Sequence, residues 1–330
     1  MQTDADGLNR DGRSLSAIQR LEFEMPWPPD YAAAYVLDGP EPVLIDAGTT
    51  EATAESTLLD GLDAIGYTPS DIEHVLVTHV HSDHIGLVAL LREAGSEIHA
   101  PRAALDRLAT DPETLRRGVA ETARSAGYRG DELEAVVESE LESFRRDRRL
   151  LDPSLTRPID PSEPLTIGDR EFTPFETPGH EIHHLCLEVD VDGTRVLFSG
   201  DTLIEPFRAG AFDVGIDRGA YDAVADYYLS MDRLTETTAT RVYPGHGPVF
   251  EEPHDVVETT RERLDELLAE TLAALRSIEP ATPLAVAENR VGELRSSAPL
   301  LDTLGALGTL TDRGTVTYDV ADGVRRYRSS

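Results

Sequence analysis

Apolar residues recur along this chain in two rhythms, and the changes between them mark out its elements. Val43-Leu44-Ile45 is an unbroken apolar run closed by Asp46-Ala47-Gly48-Thr49, which reads as a buried strand ending in a tight turn. Helical spacing covers about 51–65, Val75-Leu76-Val77 forms a second buried strand, and another helix is expected from Ile85-Gly86-Leu87. Over 101–150 the spacing becomes heptad-like and heavily charged, as in Glu132 to Arg149, which predicts two or three surface helices inserted between core strands. Strand-like runs return at 165–176, 184–191 and 194–199, with Asp192-Gly193 as a hairpin turn. A short strand near Thr240-Arg241-Val242-Tyr243 then precedes a long helix over about 253–277. The first thirty residues, polar and then rich in proline (Pro26, Pro28, Pro29), read as a tail, so the main domain is expected over 31–278. The last fifty residues read as a separate unit. Thr282-Pro283 starts a helix with a capping side chain and a proline at the first helical position, and a second helical stretch covers 297–307. Strands at 315–320 and 324–328 follow, joined by Asp322-Gly323. Helices followed by a hairpin describe a winged-helix-like domain over 279–330.

Charge changes this picture. The 330 residues include 62 acids against 30 basic residues, all of them arginine, for a formal net charge of −32. Such self-repulsion opposes compaction in dilute buffer and is screened by concentrated salt, so the composition reads as halophilic. It argues against general affinity for nucleic acid or an anionic membrane. The distribution is uneven: residues 281–330 carry six acids and six arginines, so the remaining 280 residues hold the whole excess. A single cysteine, Cys186, excludes an internal disulfide and sits in the apolar run Leu185-Cys186-Leu187 as a buried strand residue. The N-terminus lacks the apolar core of a signal peptide, and the longest apolar stretch, Ile85 to Leu91, is too short to span a bilayer. A cytoplasmic protein without membrane contact is expected.

The chemistry concentrates at Thr78-His79-Val80-His81-Ser82-Asp83-His84, directly after an apolar strand. His79 and His81 alternate with Val80, so both can turn to one side of an extended segment, and Asp83 and His84 sit where the chain turns towards a helix. Imidazole and carboxylate together suit zinc or a similar first-row metal. Three further segments place ligand-type residues after strands: Thr177-Pro178-Gly179-His180, Ser199-Gly200-Asp201-Thr202 and Tyr243-Pro244-Gly245-His246-Gly247. The order and contexts of these motifs, with Leu44-Ile45-Asp46-Ala47-Gly48 ahead of them, resemble the metallo-β-lactamase superfamily over residues about 30–250.

The resemblance implies an α/β fold, a four-layer αβ/βα sandwich, with two divalent metal ions at one edge. These are expected to be zinc, with iron or manganese as alternatives. Carried over position by position, His79, His81 and His180 hold one metal, Asp83, His84 and His246 hold the other, and Asp201 bridges both. A water shared by two cations about 3.5–4 Å apart loses its proton near neutral pH, giving a bridging hydroxide as nucleophile. Asp83 and Asp201 are then the catalytic carboxylates, offsetting metal charge and orienting that hydroxide. Glycines beside the ligands (Gly179, Gly200, Gly245) let the backbone turn sharply enough to aim them. Asp46 is expected to accept an N–H from a ligating imidazole, and His184 to hydrogen-bond near the site. His74, His99 and His254 read as ordinary strand or surface histidines.

Within the superfamily, the segment from Pro244 onward resembles the subgroup of β-lactamase-like protein 2 and the hydroxyacylglutathione hydrolase-like proteins. The resemblance implies a binuclear hydrolase acting on a thioester, ester or lactone of a small metabolite, with the insert at 101–150 as a lid. One alternative is an endoribonuclease cutting single-stranded RNA, for which Arg325, Arg326 and Arg328 in the neutral tail are the best feature; a homodimer interface through the C-terminal domain accounts for the same arginines. Another is a mononuclear iron persulfide dioxygenase, which shares His79, His180 and Asp201. The charge excess predicts that the thermal unfolding midpoint rises steadily between low and molar KCl. A midpoint insensitive to KCl contradicts the halophilic reading.

Overall fold

Two six-stranded sheets face each other in the computed structural model, which describes residues 17–330. The first contains β1 (Ile18–Glu24), β2 (Tyr31–Leu37), β3 (Val43–Ile45), β4 (His74–Leu76), β5 (Glu97–Pro101) and β6 (Arg157–Ile159), in that spatial order. Its first three strands are antiparallel and the pairings from β3 to β6 are parallel. The second sheet holds β7 (Leu165–Ile167), β8 (Arg170–Glu176), β9 (Leu185–Val191), β10 (Thr194–Gly200), β11 (Arg241–Pro244) and β12 (Phe250–Glu251), again neighbours in chain order. There only β10 and β11 run parallel. β13 (Val316–Ala321) and β14 (Val324–Ser329) form a separate hairpin.

Strands with helices on one face and a sheet on the other are buried on both, which is why their sequences read as apolar runs rather than strict alternations. In β2, Ala33, Tyr35 and Leu37 point between the sheets, while Ala34 and Val36 point to the outer layer. The inter-sheet core joins Tyr35, Val43, Ile45 and Leu76 to Leu187, Val196, Phe198 and Tyr243. Outside the first sheet pack α1 (Ala54–Ala64), α2 (Val88–Ala94), α3 (Arg102–Leu108), α4 (Pro112–Ala126) and α5 (Gly130–Leu150). Outside the second lie α6 (Ala223–Leu234), α7 (Pro253–Ile278), α8 (Pro283–Val291) and α9 (Ala298–Asp312). This is the expected four-layer sandwich, and the insert over 101–150 is three helices, as its spacing predicted.

Two expectations need correction. The tail assigned to 1–30 includes β1; residues 1–16 lie outside the described residues. Leu21 and Phe23 are buried and Glu22 and Glu24 exposed, a period-two signal that the surrounding polar residues and prolines obscured. The C-terminal unit keeps the expected order of helices and hairpin but does not stand apart at 279. Val286, Leu307 and Tyr327 pack with α6 and α7, and Leu300, Leu301 and Leu304 join the core beneath the insert. The physical reason is that α9 is apolar around most of its circumference, and such a helix must be covered on more than one side. Helix α6 was not anticipated.

Phe23 is fully buried, with its ring packed against Gly48 in the turn that follows β3. Phe23→Ala is expected to destabilise the fold by about 3–5 kcal/mol, read from denaturant midpoints. A loss below about 1 kcal/mol would show that β1 adds little to the core.

Candidate metal centre

The strand ends that carry the motifs meet at one edge of the sandwich, and backbone hydrogen bonds between and within the sheets fix them there. Ala33 N donates to Gly245 O at 2.7 Å, Gly245 N to Gly200 O at 2.8 Å, and Leu185 N to Thr78 O at 2.9 Å. The Tyr35 hydroxyl adds a bond to Pro244 O at 2.7 Å. At two positions only glycine fits. Gly200 has φ +46°, and a Cβ there would lie 2.4 Å from His184 Nε2; a Cβ on Gly245 would lie 2.4 Å from Asp201 Oδ1. Gly245 therefore serves through close approach rather than through the sharp turn expected of it; Gly179, at φ +118°, does have that turn.

All seven donor residues predicted from the sequence come together here, in the sets His79–His81–His180, His79–His84–Asp201 and Asp83–His84–His246. His79 Nε2 lies 3.1 Å from His81 Nδ1, which lies 3.0 Å from His180 Nε2. Asp201 Oδ2 stands 3.3 Å from His180 Nε2 and 3.1 Å from His246 Nε2, between the two sets. Asp83 Oδ2 is 3.4 Å from His246 Nε2.

The outward nitrogens decide what the inward ones present. His180 Nδ1 faces Gly210 O at 2.9 Å, His246 Nδ1 faces Tyr31 O at 2.7 Å, and His84 Nδ1 faces Asp46 Oδ2 at 2.9 Å. These oxygens only accept, so each Nδ1 carries a proton and each Nε2 is the atom turned inward to ligate. For His79 the relay has one more member. The Thr78 hydroxyl gives its proton to Asp46 at 2.9 Å, so it accepts from His79 Nδ1 at 3.0 Å. Four imidazole Nε2 atoms thus converge on a volume that also contains two carboxylates. His84 Nε2 and Asp201 Oδ1 are buried with no hydrogen-bond partner, although only 3.4 Å apart. Buried polar atoms are rarely left unpaired, and this donor set can be satisfied by cations of the zinc type.

Electrostatics agrees. Burial, with the neighbouring imidazoles, holds His79 well below the usual histidine range, and burial pushes His81 down to about 3. Both are neutral and ready to ligate. Burial opposes charge on His84 and His246 too, but Asp201 and Asp83 outweigh it, taking His246 up to about 10. The carboxylates therefore demand positive charge at this position, from protons or from metal.

Asp46 stands where expected, accepting from the imidazole of His84 and also from Thr78 N at 2.8 Å. His184 lies behind the cluster: its Nε2 accepts Asp201 N–H at 3.1 Å, and its Nδ1 meets the hydroxyls of Thr177 and Thr202. His183 stays outside the donor sets, and His254 only approaches Thr235 O. His74 and His99 pair with each other on β4 and β5, at the far end of β4 from His79. Burial pushes the Cys186 thiol up to about 12, consistent with an inert core residue. Sequence reasoning missed Thr78 and the carbonyls of Tyr31 and Gly210. Thr78 adjoins the motif, but nothing in the chain's local pattern links Tyr31 to His246.

A cavity of about 250 Å³ opens beside His81. The insert supplies Leu108, Leu115 and Phe144 to its wall, the loop before α6 supplies Phe212, and α9 supplies Leu301. Burial pushes the wall carboxyls Glu140 and Glu181 up to about 7.

Residues 27–271 match the family model described as the metallo-beta-lactamase superfamily. The chain is 23% identical over 272 residues to a beta-lactamase-like protein 2 homolog of Caenorhabditis elegans, covering 82% of this chain and 73% of that protein. It is 30% identical over 188 residues to the acyl-coenzyme A thioesterase MBLAC2 of Gallus gallus, covering 53% of this chain and 56% of that one. Among solved structures, the metallo-beta-lactamase family protein TTHA1429 of Thermus thermophilus superposes with a TM-score of 0.78 at 21% identity, covering 95% of this chain and 99% of that chain. That likeness speaks to the fold.

The relay through Asp46 gives a direct test. Asp46→Asn keeps the shape but weakens the acceptor for His84 and Thr78, and is expected to lower metal affinity about 10–100-fold in competition with a chelator. An unchanged affinity would show that Asp46 is only a turn residue.

Proposed function

The chain belongs to the metallo-β-lactamase superfamily of hydrolases, and from that membership we propose a binuclear enzyme, loaded with zinc or with iron or manganese, that hydrolyses a thioester. One observation carries the reading: inward nitrogens from two sets of imidazoles flank a single buried carboxylate, Asp201, whose Oδ1 has no partner within the protein. His79, His81 and His180 would hold one ion, Asp83, His84 and His246 the other, and Asp201 would touch both. Such a pair of ions lowers the pKa of a shared water and polarises an acyl oxygen.

The residues of the chain do the rest. Asp46 and Thr78 keep His84 and His79 in the ligating tautomer, and the carbonyls of Tyr31 and Gly210 do the same for His246 and His180. Asp83, less deeply buried than Asp201, would join it in offsetting metal charge and orienting the attacking water. Phe144, Phe212, Leu108 and Leu115 offer an apolar wall to an acyl group and exclude bulk water from it. Attack forms a C–O bond and breaks the C–S bond, and the thiolate leaves. The thioester is favoured over an ester or lactone because the relative MBLAC2 bears the name of an acyl-coenzyme A thioesterase. Among the described residues no helix is long and apolar enough to cross a membrane, and we place the enzyme in the cytoplasm.

The RNA reading draws on Arg325, Arg326 and Arg328. Arg325 lies over the Tyr221 ring at 3.9 Å and Arg328 pairs with Asp319, so two of the three are occupied within the fold. Protein purified without chelator is expected to hold close to two equivalents of transition metal by elemental analysis, and Asp201→Ala to lose metal and thioesterase activity together. Full activity in that variant would refute the shared-ligand role. Single-stranded RNA cleaved by metal-loaded protein that leaves thioesters intact would replace this reading with the nuclease one.

A further inference from the structure

Helix α5 presents two faces to solvent-filled space. Phe144 and Asp147 line the cavity beside His81, whereas Arg145, Arg148 and Arg149 line an adjoining groove of about 490 Å³ together with Arg92. Phe144 is a wall of both, so cavity and groove adjoin at its ring. Its charge runs against the chain. Acids outnumber arginines 62 to 30 overall, yet the groove has four arginines and one carboxylate, Asp152. Other arginines of the insert and its neighbours do pair with acids, as Arg218 does with Glu121 and Arg116 with Glu138. Among the described residues Arg148 and Arg149 have no carboxylate within 4.0 Å, Arg145 reaches Glu138 only at 3.9 Å, and Nη1 of Arg92 is buried without a hydrogen-bond partner.

Four guanidiniums that share the one carboxylate of Asp152 leave the groove with an excess of positive charge that an anion would offset. We propose that the groove binds the carrier half of the substrate, and that this carrier bears phosphate groups. The inference rests on the thioester reading above and names the class of thiol. Guanidinium forks match phosphate oxygens two at a time, and several phosphates offset several arginines. A glutathione-type carrier fits less well, because its ammonium group would meet only like charge. The acyl group then lies against Phe144 and Phe212, the sulfur sits near the metal edge, and the carrier runs past Phe144 to Arg148 and Arg149.

The test presents one acyl group on coenzyme A, on pantetheine and on glutathione to the metal-loaded enzyme in a single KCl buffer. The coenzyme A thioester is expected to show a KM lower than the other two by about tenfold or more, the worth of one charge-assisted hydrogen bond. Replacing both Arg148→Ala and Arg149→Ala should raise that KM to the pantetheine value while leaving kcat and pantetheine turnover unchanged. Equal KM values on all three carriers, or a double variant that keeps the preference, would overturn the proposal. If no thioester is turned over, the thioester reading on which this rests fails instead. Calorimetric titration with adenosine 3′,5′-bisphosphate then decides the groove: saturable binding lost in the double variant supports it, and no binding refutes it.

Discussion

Inward nitrogens on His79, His84, His180 and His246, crowded against the carboxylates of Asp83 and Asp201, are the feature to which the rest of the molecule answers. Crowding of this kind is costly, because buried carboxylates need opposite charge. The fold holds them together all the same, because each imidazole is tethered from behind. Gly210 O, Tyr31 O, Asp46 and Thr78 fix the ring orientations, and the hydrogen bonds Ala33–Gly245 and Leu185–Thr78 lock the two sheets at that edge. Glycine at 200 and 245 lets the backbones come close enough for this to happen. A centre whose donors are tethered in this way is suited to hold cations between them.

Reaction type and substrate choice are carried by different parts of the chain. The strand ends of the two sheets supply the donors. The helical insert and α9 supply the walls of the cavity next to them, so the C-terminal segment takes part in the site through Leu301 rather than through its hairpin. This also accounts for its burial: α9 is packed between α6 and α7 on one side and the core beneath the insert on the other. The charge of the hairpin is largely spent inside the fold, with Arg325 against Tyr221 and Tyr318. On α5, in the insert, Arg148 and Arg149 stay open.

Much was legible in the sequence, for a definite reason. Short apolar runs ending in Asp46, His79, Asp201 and His246 announce strands and the residues they deliver, because a strand buried on both faces leaves a local signature. The heptad spacing of 101–150 announced two or three helices in the same way, and three are present. Strand β1 was missed because only Leu21 and Phe23 carry its signal, and α6 because its apolar stripe is interrupted by polar residues that turn out to be buried, Ser230 among them.

The sequence by itself determined the donor types, their order and the strands that bear them, since these depend on residues near one another in the chain. Tertiary structure alone decided which nitrogen of each imidazole faces inward, for that is set by oxygens far away in sequence: Tyr31 for His246, Gly210 for His180 and Asp46 for His84. It also decided that Phe144 and Leu301, more than a hundred and fifty positions apart, wall one cavity, and that four arginines of α2 and α5 share one groove. Periodicity reports the face a residue turns to its own element's neighbours. It contains no term for which distant backbone will stand behind it.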